Sequence, residues 1–536
     1  MSAQRWGNGL WWREAVIYQV YPLSFQDSDD DGFGDLSGVV AKLDYLSDVL
    51  GVDALWLCPF YKSPMRDWGY DVTDHTDVDP LFGTINDAKK LITEAHRREM
   101  KIVVDYVINH TSAEHPWFLD SRSSRSSEKR DWYAWRDGRD GGPPNNWVSV
   151  FGGPAWTYDE TTGQWYRHTF LADQPDVNWR NPDLAEAMLD VVRFWMDLGV
   201  DGFRVDAAHQ MMKDLQERDN PPAPPDYERP WRDMGEFDDF VHLYDMGDHE
   251  VHEAHRRFRS VVDSYGRDAL TIGEIHIFDL TEWASYYGEE LDEMSMPFNF
   301  HLMTAKWCVP EIRAVIESVL WNVPAGAWVN WTLGNHDERR LASRLPPGHE
   351  RLAATLLLTL RGTPFLYYGD ELGMVEASVT ESRDAWGRQV EGFSRDGSRT
   401  PMQWTSGPNA GFTSPDVEPW LGLGPNTATH NVEAELVADD SLLNTYRRLL
   451  SLRKESKALR LGSFLSDPAS TEEVFVYRRE SDDETKTVVL NFSDESKKVS
   501  LSPGRIVFDT HTPGRTGPTN GRVDVAAHAG VILSHP

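Results

Sequence analysis

Charged side chains sit in this chain where apolar strands need none. The stretch "GFRVDAAHQ" (202–210) places Arg204 and Asp206 two residues apart, and "LTIGEIH" (270–276) carries Glu274. Burying such charges unpaired is costly. Residues i and i+2 of a strand share a face, so Arg204 is expected to hold Asp206 ionised and oriented. Two carboxylates in one pocket can divide labour, one as an ionised nucleophile and the other as a protonated general acid. Glycoside hydrolysis uses such a pair, and a close spacing gives a retaining reaction. A structural ion pair is the competing reading of these residues alone.

A second acidic pattern lies in "DSDDDGFGDL" (27–36). Asp27, Asp29, Asp31 and Asp35 fall at alternating positions among glycines, like an EF-hand loop that lacks its distal Glu. With the Phe33 carbonyl they offer the hard oxygen donors that Ca²⁺ prefers, and Mg²⁺ is the alternative. The ion is expected to be structural, because the carboxylate pair already accounts for the chemistry. The competing reading is a solvated acidic turn.

Eight β-type runs position these groups: 14–21, 53–60, 101–110, 202–209, 270–276, 296–300, 328–337 and 363–371. Helix-like segments at 37–50, 85–99, 181–198, 248–266 and 349–361 lie among them. Near-continuous apolar runs fit parallel strands buried on both faces. Eight strand–helix units read as an α/β fold, a (β/α)8 barrel. Each run is apolar early and polar at its end, where Asn109, His110, Asp206, Glu274, His336 and Asp337 fall. Barrel active sites are built at that face. The barrel is expected to span 1–110 and 179–461, with an inserted loop-rich domain over 111–178. The segment 210–247 is expected to lie over the pocket. Short alternating runs in 462–536 predict a C-terminal antiparallel β-sandwich.

Composition narrows the partners. The 536 residues carry a formal net charge of −33, which argues against nucleic acid or an anionic membrane and fits a neutral small molecule. Twenty-two Trp suit stacking on sugar faces as well as core packing. Cys58 and Cys308 make no disulfide framework, and "DALWLCPF" (53–60) predicts a buried free thiol at Cys58. No apolar run reaches membrane-spanning length, and "MSAQRWGNGLWW" (1–12) lacks a signal-peptide pattern. The expectation is a cytoplasmic monomer or homodimer.

The motifs "DYVINH" (105–110), "GFRVDAAHQ", "GE" (273–274) and "NHD" (335–337), in that order, resemble those of the α-amylase superfamily, glycoside hydrolase family 13. "QPDVN" (174–178) resembles its fifth motif, and "EAVIYQVYPLSF", "FGT" and "SRDGSRTPMQW" are similar to its α-glucosidase and oligo-1,6-glucosidase branch. The resemblance covers nearly the whole chain. It implies Asp206 as nucleophile, Glu274 as acid/base, and Asp337 as the group that binds the sugar 2- and 3-hydroxyls. It implies that His110 and His336 bond the same glucose, that Asp67 grips its terminal hydroxyls, that Tyr70 stacks on its ring, and that Arg399 pairs with Asp67 or those hydroxyls. Phe151 and Phe170 are further aromatics for the pocket. Related α-glucosidases carry the acidic loop after the first strand. The implied activity is a retaining, exo-acting α-glucosidase that releases glucose from short α-glucosides, with transglucosylation beside hydrolysis. Ala207, next to the nucleophile, tilts the reading to α-1,4 bonds such as maltose; the residues after it depart from the commoner pattern. The alternatives are an oligo-1,6-glucosidase, or a trehalose synthase or sucrose isomerase. A non-catalytic heavy chain of amino-acid transporters would be membrane-anchored, and some of these have lost the acids that this chain retains.

Overall fold

The computed structural model describes residues 9–227, 231–232 and 234–535. The reading of the first eight residues, and four positions of the 210–247 segment, lie outside the described residues.

Eight parallel strands form the sheet: β1 (Ile17–Val20), β2 (Ala54–Leu57), β3 (Lys101–Val107), β4 (Gly202–Asp206), β5 (Leu270–Gly273), β6 (Met296–Pro297), β7 (Asn330–Thr332) and β8 (Thr363–Tyr367). Their hydrogen-bonded order is β6–β5–β4–β3–β2–β1–β8–β7. All eight expected runs are strands, each shorter than its apolar stretch. The ladder leaves a seam between β6 and β7, and Asn330 crosses it with its side chain. Its Nδ2 donates to Pro297 O (2.7 Å) and its Oδ1 accepts from Asn299 N–H (2.9 Å). Asn299 Nδ2 returns a bond to Asn330 O (3.2 Å). A nearly closed (β/α)8 barrel results.

The helices begin and end on local chemistry. The expected 37–50 helix splits into α1 (Leu36–Ala41), capped by Asp35, and a π-helical turn (Tyr45–Leu50) that stops at Gly51 with φ 91°. Helix α2 (Ile85–Arg97) starts on a Thr84/Asp87 capping box. Helix α3 (Pro182–Leu198) has Asn181 Oδ1 on the N–H groups of Asp183 and Leu184, and ends at Gly199 with φ 104°. Helices α4 (Val251–Asp263), α5 (Val309–Asn322) and α6 (Glu350–Thr359) continue the ring. Gly202 opens β4 because a Cβ there would meet Leu270 O at 2.5 Å. Asp201, just before β4, pairs with His96 (2.7 Å) and Lys101 (2.8 Å), away from the pocket residues.

Between β3 and α3 lies a three-stranded antiparallel sheet of Trp135–Arg136, Gln164–Arg167 and Trp156–Asp159. Beyond residue 462 a six-stranded sheet and a two-stranded sheet (Lys497–Ser500 with Arg522–Val525) share a core of Val476, Val489, Val499, Val523 and Val531. Helix α6 docks on this region through its C-terminal carbonyls. Arg479 of the six-stranded sheet donates to Thr359 O and Leu459 O, and Arg453, from the preceding helix Leu442–Glu455, donates to Leu358 O, Leu360 O and Gly362 O. Both guanidiniums are buried. Cys58 is a buried free thiol whose sulfur accepts from Gln19 Nε2 (3.3 Å).

Candidate functional site

Strand register builds the centre. Pairing of β3 with β4 sets Asp105 beside Arg204 and Val107 beside Asp206, and pairing of β4 with β5 sets Val205 beside Gly273, so Glu274 follows at the same level. Arg204 Nη1 donates to Asp105 Oδ1 (2.8 Å) and Asp206 Oδ1 (2.7 Å). Its Nη2 reaches Glu274 Oε2 (2.8 Å). The Trp56 indole (3.2 Å) and the Tyr70 hydroxyl (3.1 Å) donate to the other Asp105 oxygen. Ala207 leaves the strand in a left-handed conformation, φ 43°, ψ 40°. That turn aims its N–H at Glu274 Oε2 (2.8 Å). Glu274 Oε1 faces His276 Nε2 (3.0 Å).

Arg204 orients Asp206 and favours its ionised form, against burial and like charges. Burial pushes the Asp206 carboxyl well above its ordinary value, and the like charges of Glu274 and Asp105 add to the push beyond what Arg204 offsets. Burial alone would raise Glu274 too, but Arg204 and then His276 hold it well below the usual carboxylate range. One guanidinium is shared among the three acids, so Asp206 and Glu274 titrate together as a pair. Asp105 is pushed up to about 6 by burial against Arg204.

Asp337 lies on the other side of the pocket. Its Oδ1 accepts from Arg395 Nη1 (3.0 Å) and Arg399 Nη2 (3.1 Å), and His336 Nε2 stands 3.3 Å from Oδ2. Burial opposes its charge; a protonated His336 would favour it, and the permanent charges of Arg395 and Arg399 favour it at every pH, so the carboxyl lies far below the usual range. Arg395 Nη2 also bonds Asp67 Oδ1 (2.8 Å) and Asp384 Oδ1 (2.6 Å). The partner of Asp67 is therefore Arg395, and the expected Arg399 pairing is corrected. Arg399 is fully buried, with its Nε on His336 O (2.8 Å). A short 3₁₀ turn (Asp396–Ser398) separates the two arginines and carries Arg399 beneath Asp337. Tyr70 stacks on His336 (centroids 5.4 Å apart, 7° between planes) and its hydroxyl bonds His336 Nε2 (2.7 Å). His110 Nε2 contacts Tyr70 O (3.1 Å) and Gln174 Nε2 (3.1 Å), and Gln174 donates to Asp67 Oδ2 (3.1 Å). Burial pushes His110 down to about 4 and His336 to about 3, so both rings are neutral near pH 7.

These groups share one cavity of about 550 Å³. Asp67, Tyr70, His110, Asp206, Ala207, Glu274, His336 and Asp337 line it, whereas Arg204 and Arg399 stand behind the wall. The rest is largely apolar, with Phe151 and Phe170 from the insert, Trp231 and Phe237 from the 210–247 segment, and Trp386. Residues missed by sequence reasoning are Asp105, Arg395, Gln174 and His276. Asp105 had a signal, an acid in "KIVVDYV" opposite a strand that carries an arginine. For Arg395 the sequence offers two arginines four apart and no means of choosing.

In the acidic loop, ligand oxygens of Asp27, Asp29 and Asp35 converge within 4.8 Å. Asp31 is outside this group, with its Oδ1 accepting from Phe33 N–H (2.8 Å) as in an Asx turn. Burial and then Asp31, Asp35 and Asp27 raise the Asp29 carboxyl, the crowding that a divalent cation relieves, so the donor set fits one.

A parallel eight-stranded barrel with acids and arginines gathered at the C-terminal ends of its strands defines a sugar-processing barrel enzyme. Residues 19–462 match the α-amylase catalytic-domain model, and the chain belongs to that family. It is 40% identical over 513 residues, 92% of each chain, to a probable alpha-glucosidase of Rhizobium meliloti (strain 1021). It is 36% identical over 543 residues, 94% of this chain and 93% of the relative, to the oligo-1,6-glucosidase of Parageobacillus thermoglucosidasius. Among solved structures it is similar to the alpha-glucosyl transfer enzyme XgtA (39% identity, TM-score 0.92, covering 99% of this chain and 100% of that one). It is also similar to the trehalulose synthase MutB (35%, 0.89, covering 98% and 100%). The chain is an enzyme of the glycosidase and transglycosylase type. Among the described residues no helix is long and apolar enough to cross a membrane.

Proposed function

We propose that the enzyme transfers one α-glucosyl unit at a time from a small α-glucoside, through a covalent glucosyl-enzyme, to a second sugar as well as to water. The observation that carries this reading is the make-up of the cavity wall: Asp67, Asp337 and Arg395 form one charged knot in it, and Phe151, Phe170, Trp231, Phe237 and Trp386 add aromatic faces. The charged knot suits the hydroxyls of a single terminal glucose, which makes the action exo. An aromatic wall stacks an acceptor sugar and thins the water that competes with it. Asp206 Oδ attacks C1, and Glu274 gives its proton to the departing glycosidic oxygen. The intermediate forms with the sugar held by Asp337, His110 and His336. Glu274, now ionised, takes a proton from the acceptor hydroxyl as that oxygen attacks C1 and Asp206 leaves, so configuration is retained.

Relatives named for glucosyl transfer, trehalulose synthesis and oligo-1,6-glucosidase activity support transfer, isomerisation and α-1,6 chemistry ahead of α-1,4 hydrolysis of maltose. The second reading, an α-1,4 preference, rests on the small Ala207 at the pocket wall. Incubation with maltose, isomaltose, sucrose and trehalose, read by product identity, separates them. New disaccharides from sucrose or fast isomaltose turnover support the first reading, and glucose alone with maltose as the best donor supports the second. Loss of turnover in Asp206→Ala is expected with every donor, and unchanged turnover removes the mechanism.

The same reading divides the chain into a barrel (1–110, 179–461), an insert (111–178) and a C-terminal β domain (462–536). It assigns a structural Ca²⁺ to Asp27, Asp29 and Asp35, where the ion would tie the loop to α1 through Asp35. Chelation is expected to lower the melting temperature and calcium to restore it.

A further inference from the structure

His276 lies two residues beyond Glu274, on the loop that leaves β5. Its Nε2 is 3.0 Å from Glu274 Oε1, and its Nδ1 is buried with no hydrogen-bond partner among the described residues. The one hydrogen bond of this ring therefore goes to Glu274. An ionised carboxylate only accepts, so Nε2 carries the proton in that bond. Two aromatic rings hold the imidazole flat: Trp231 on one side (centroids 4.5 Å, 25°) and Phe300 on the other (4.4 Å, 17°). Such a clamp leaves the ring little freedom to turn from its acceptor. The other groups facing this pair are few. His209 stands 6.1 Å from His276, centroid to centroid. Arg204 Nη2 and the Ala207 N–H occupy Glu274 Oε2, and the charges of Asp206, Asp105 and Asp337 act on the carboxylate from across the pocket.

We propose that His276 is the positioning residue of Glu274, fixing its Oε1 and favouring its ionised form. This rests on Glu274 being the acid/base. The hydrogen bond from His276 lowers the proton affinity of the carboxyl. In the first half-reaction it shrinks the protonated fraction that can donate to the leaving oxygen. In the second it keeps the carboxylate ionised to accept from the acceptor, as a weaker base.

The test compares the wild type with His276→Phe, which keeps a ring between Trp231 and Phe300, and with His276→Gln, which keeps an N–H donor. With the best disaccharide of the panel, kcat/KM reports the free-enzyme pair of Asp206 and Glu274, whose two apparent pKa values set its two limbs. For His276→Phe one limb is expected to move to higher pH, by about one unit for loss of a hydrogen bond to the charged form. His276→Gln should restore it towards the wild type. A lost side chain that mattered only for packing moves neither limb. An unmoved profile in His276→Phe, or a limb moved to lower pH, overturns the proposal. Glu274→Gln separates the two failures. If it keeps disaccharide turnover, the assignment of Glu274 is wrong; if it is inactive while His276→Phe titrates like the wild type, only the role of His276 fails.

Discussion

At the scale of single residues, the nucleophile and the acid/base share one guanidinium and titrate together. Burial and its acidic neighbours raise Asp206, while Arg204 and His276 outweigh burial at Glu274. The higher of the pair's two apparent values sets the basic limb of kcat/KM and the lower the acid limb. The basic limb is therefore expected above the usual aspartate value of about 3.9. A rate profile with an aryl α-glucoside checks this, and a basic limb at or below about pH 4 contradicts it. Ala207 carries a second expectation. Its φ of 43° suits few side chains and β-branched ones least. Ala207→Val is expected to cost about 1–3 kcal/mol of stability, the range for such strain, measured by denaturant unfolding. If the side chain governs linkage, the isomaltose-to-maltose rate ratio rises in the same variant. Much of this site was legible: Arg204, Asp206, Glu274 and Asp337 stand out because charge in apolar strands needs an explanation. Arg395 was hidden because loop arginines look alike until the chain turns.

The elements show where legibility ended. The eight strands follow from apolar runs, but the closing of the barrel does not, because it depends on one amide. Asn330 bonds across the β6–β7 seam where the ladder stops. Asn330→Ala strands two buried polar groups, Pro297 O and the Asn299 N–H, each costing about 1–3 kcal/mol. The variant is expected to unfold at clearly lower denaturant, with lower activity even when folded, as β6 and β7 lose register at the pocket. Unchanged stability would mean that the surrounding helices alone hold the seam. The 37–50 segment split into two helices for a similarly local reason: Gly51 ends the second turn, and the apolar spacing by itself does not distinguish α from π winding.

For the whole molecule, a buried arginine with no carboxylate partner among the described residues, Arg479 of the C-terminal sheet, joins that sheet to the barrel through the end of α6. A helix C-terminus carries partial negative charge and free carbonyls, which cations satisfy. Arg479→Leu is expected to cost about 3 kcal/mol, from charged hydrogen bonds of about 1.5–3 kcal/mol each with partial repacking. Calorimetry should then resolve the C-terminal region melting ahead of the barrel, where the wild type gives one transition. A single unshifted peak would show that the docking relies on apolar contacts alone. The sequence shows an alternating β region at this end, but not the docking, since a long-range contact between an arginine and a backbone oxygen leaves no pattern.

The charged knot of Arg395 with Asp67, Asp337 and Asp384 also has a consequence for how the enzyme meets a polymer. A pocket that stops at one glucose cannot thread a chain through itself, so it senses termini and not mass. With a series of glucans at equal weight, initial velocity should rise with the molar number of non-reducing ends. A branched glucan would outrun a linear one of the same size. In a mixture the enzyme acts as a counter of tips, and the long interior of each molecule is invisible to it.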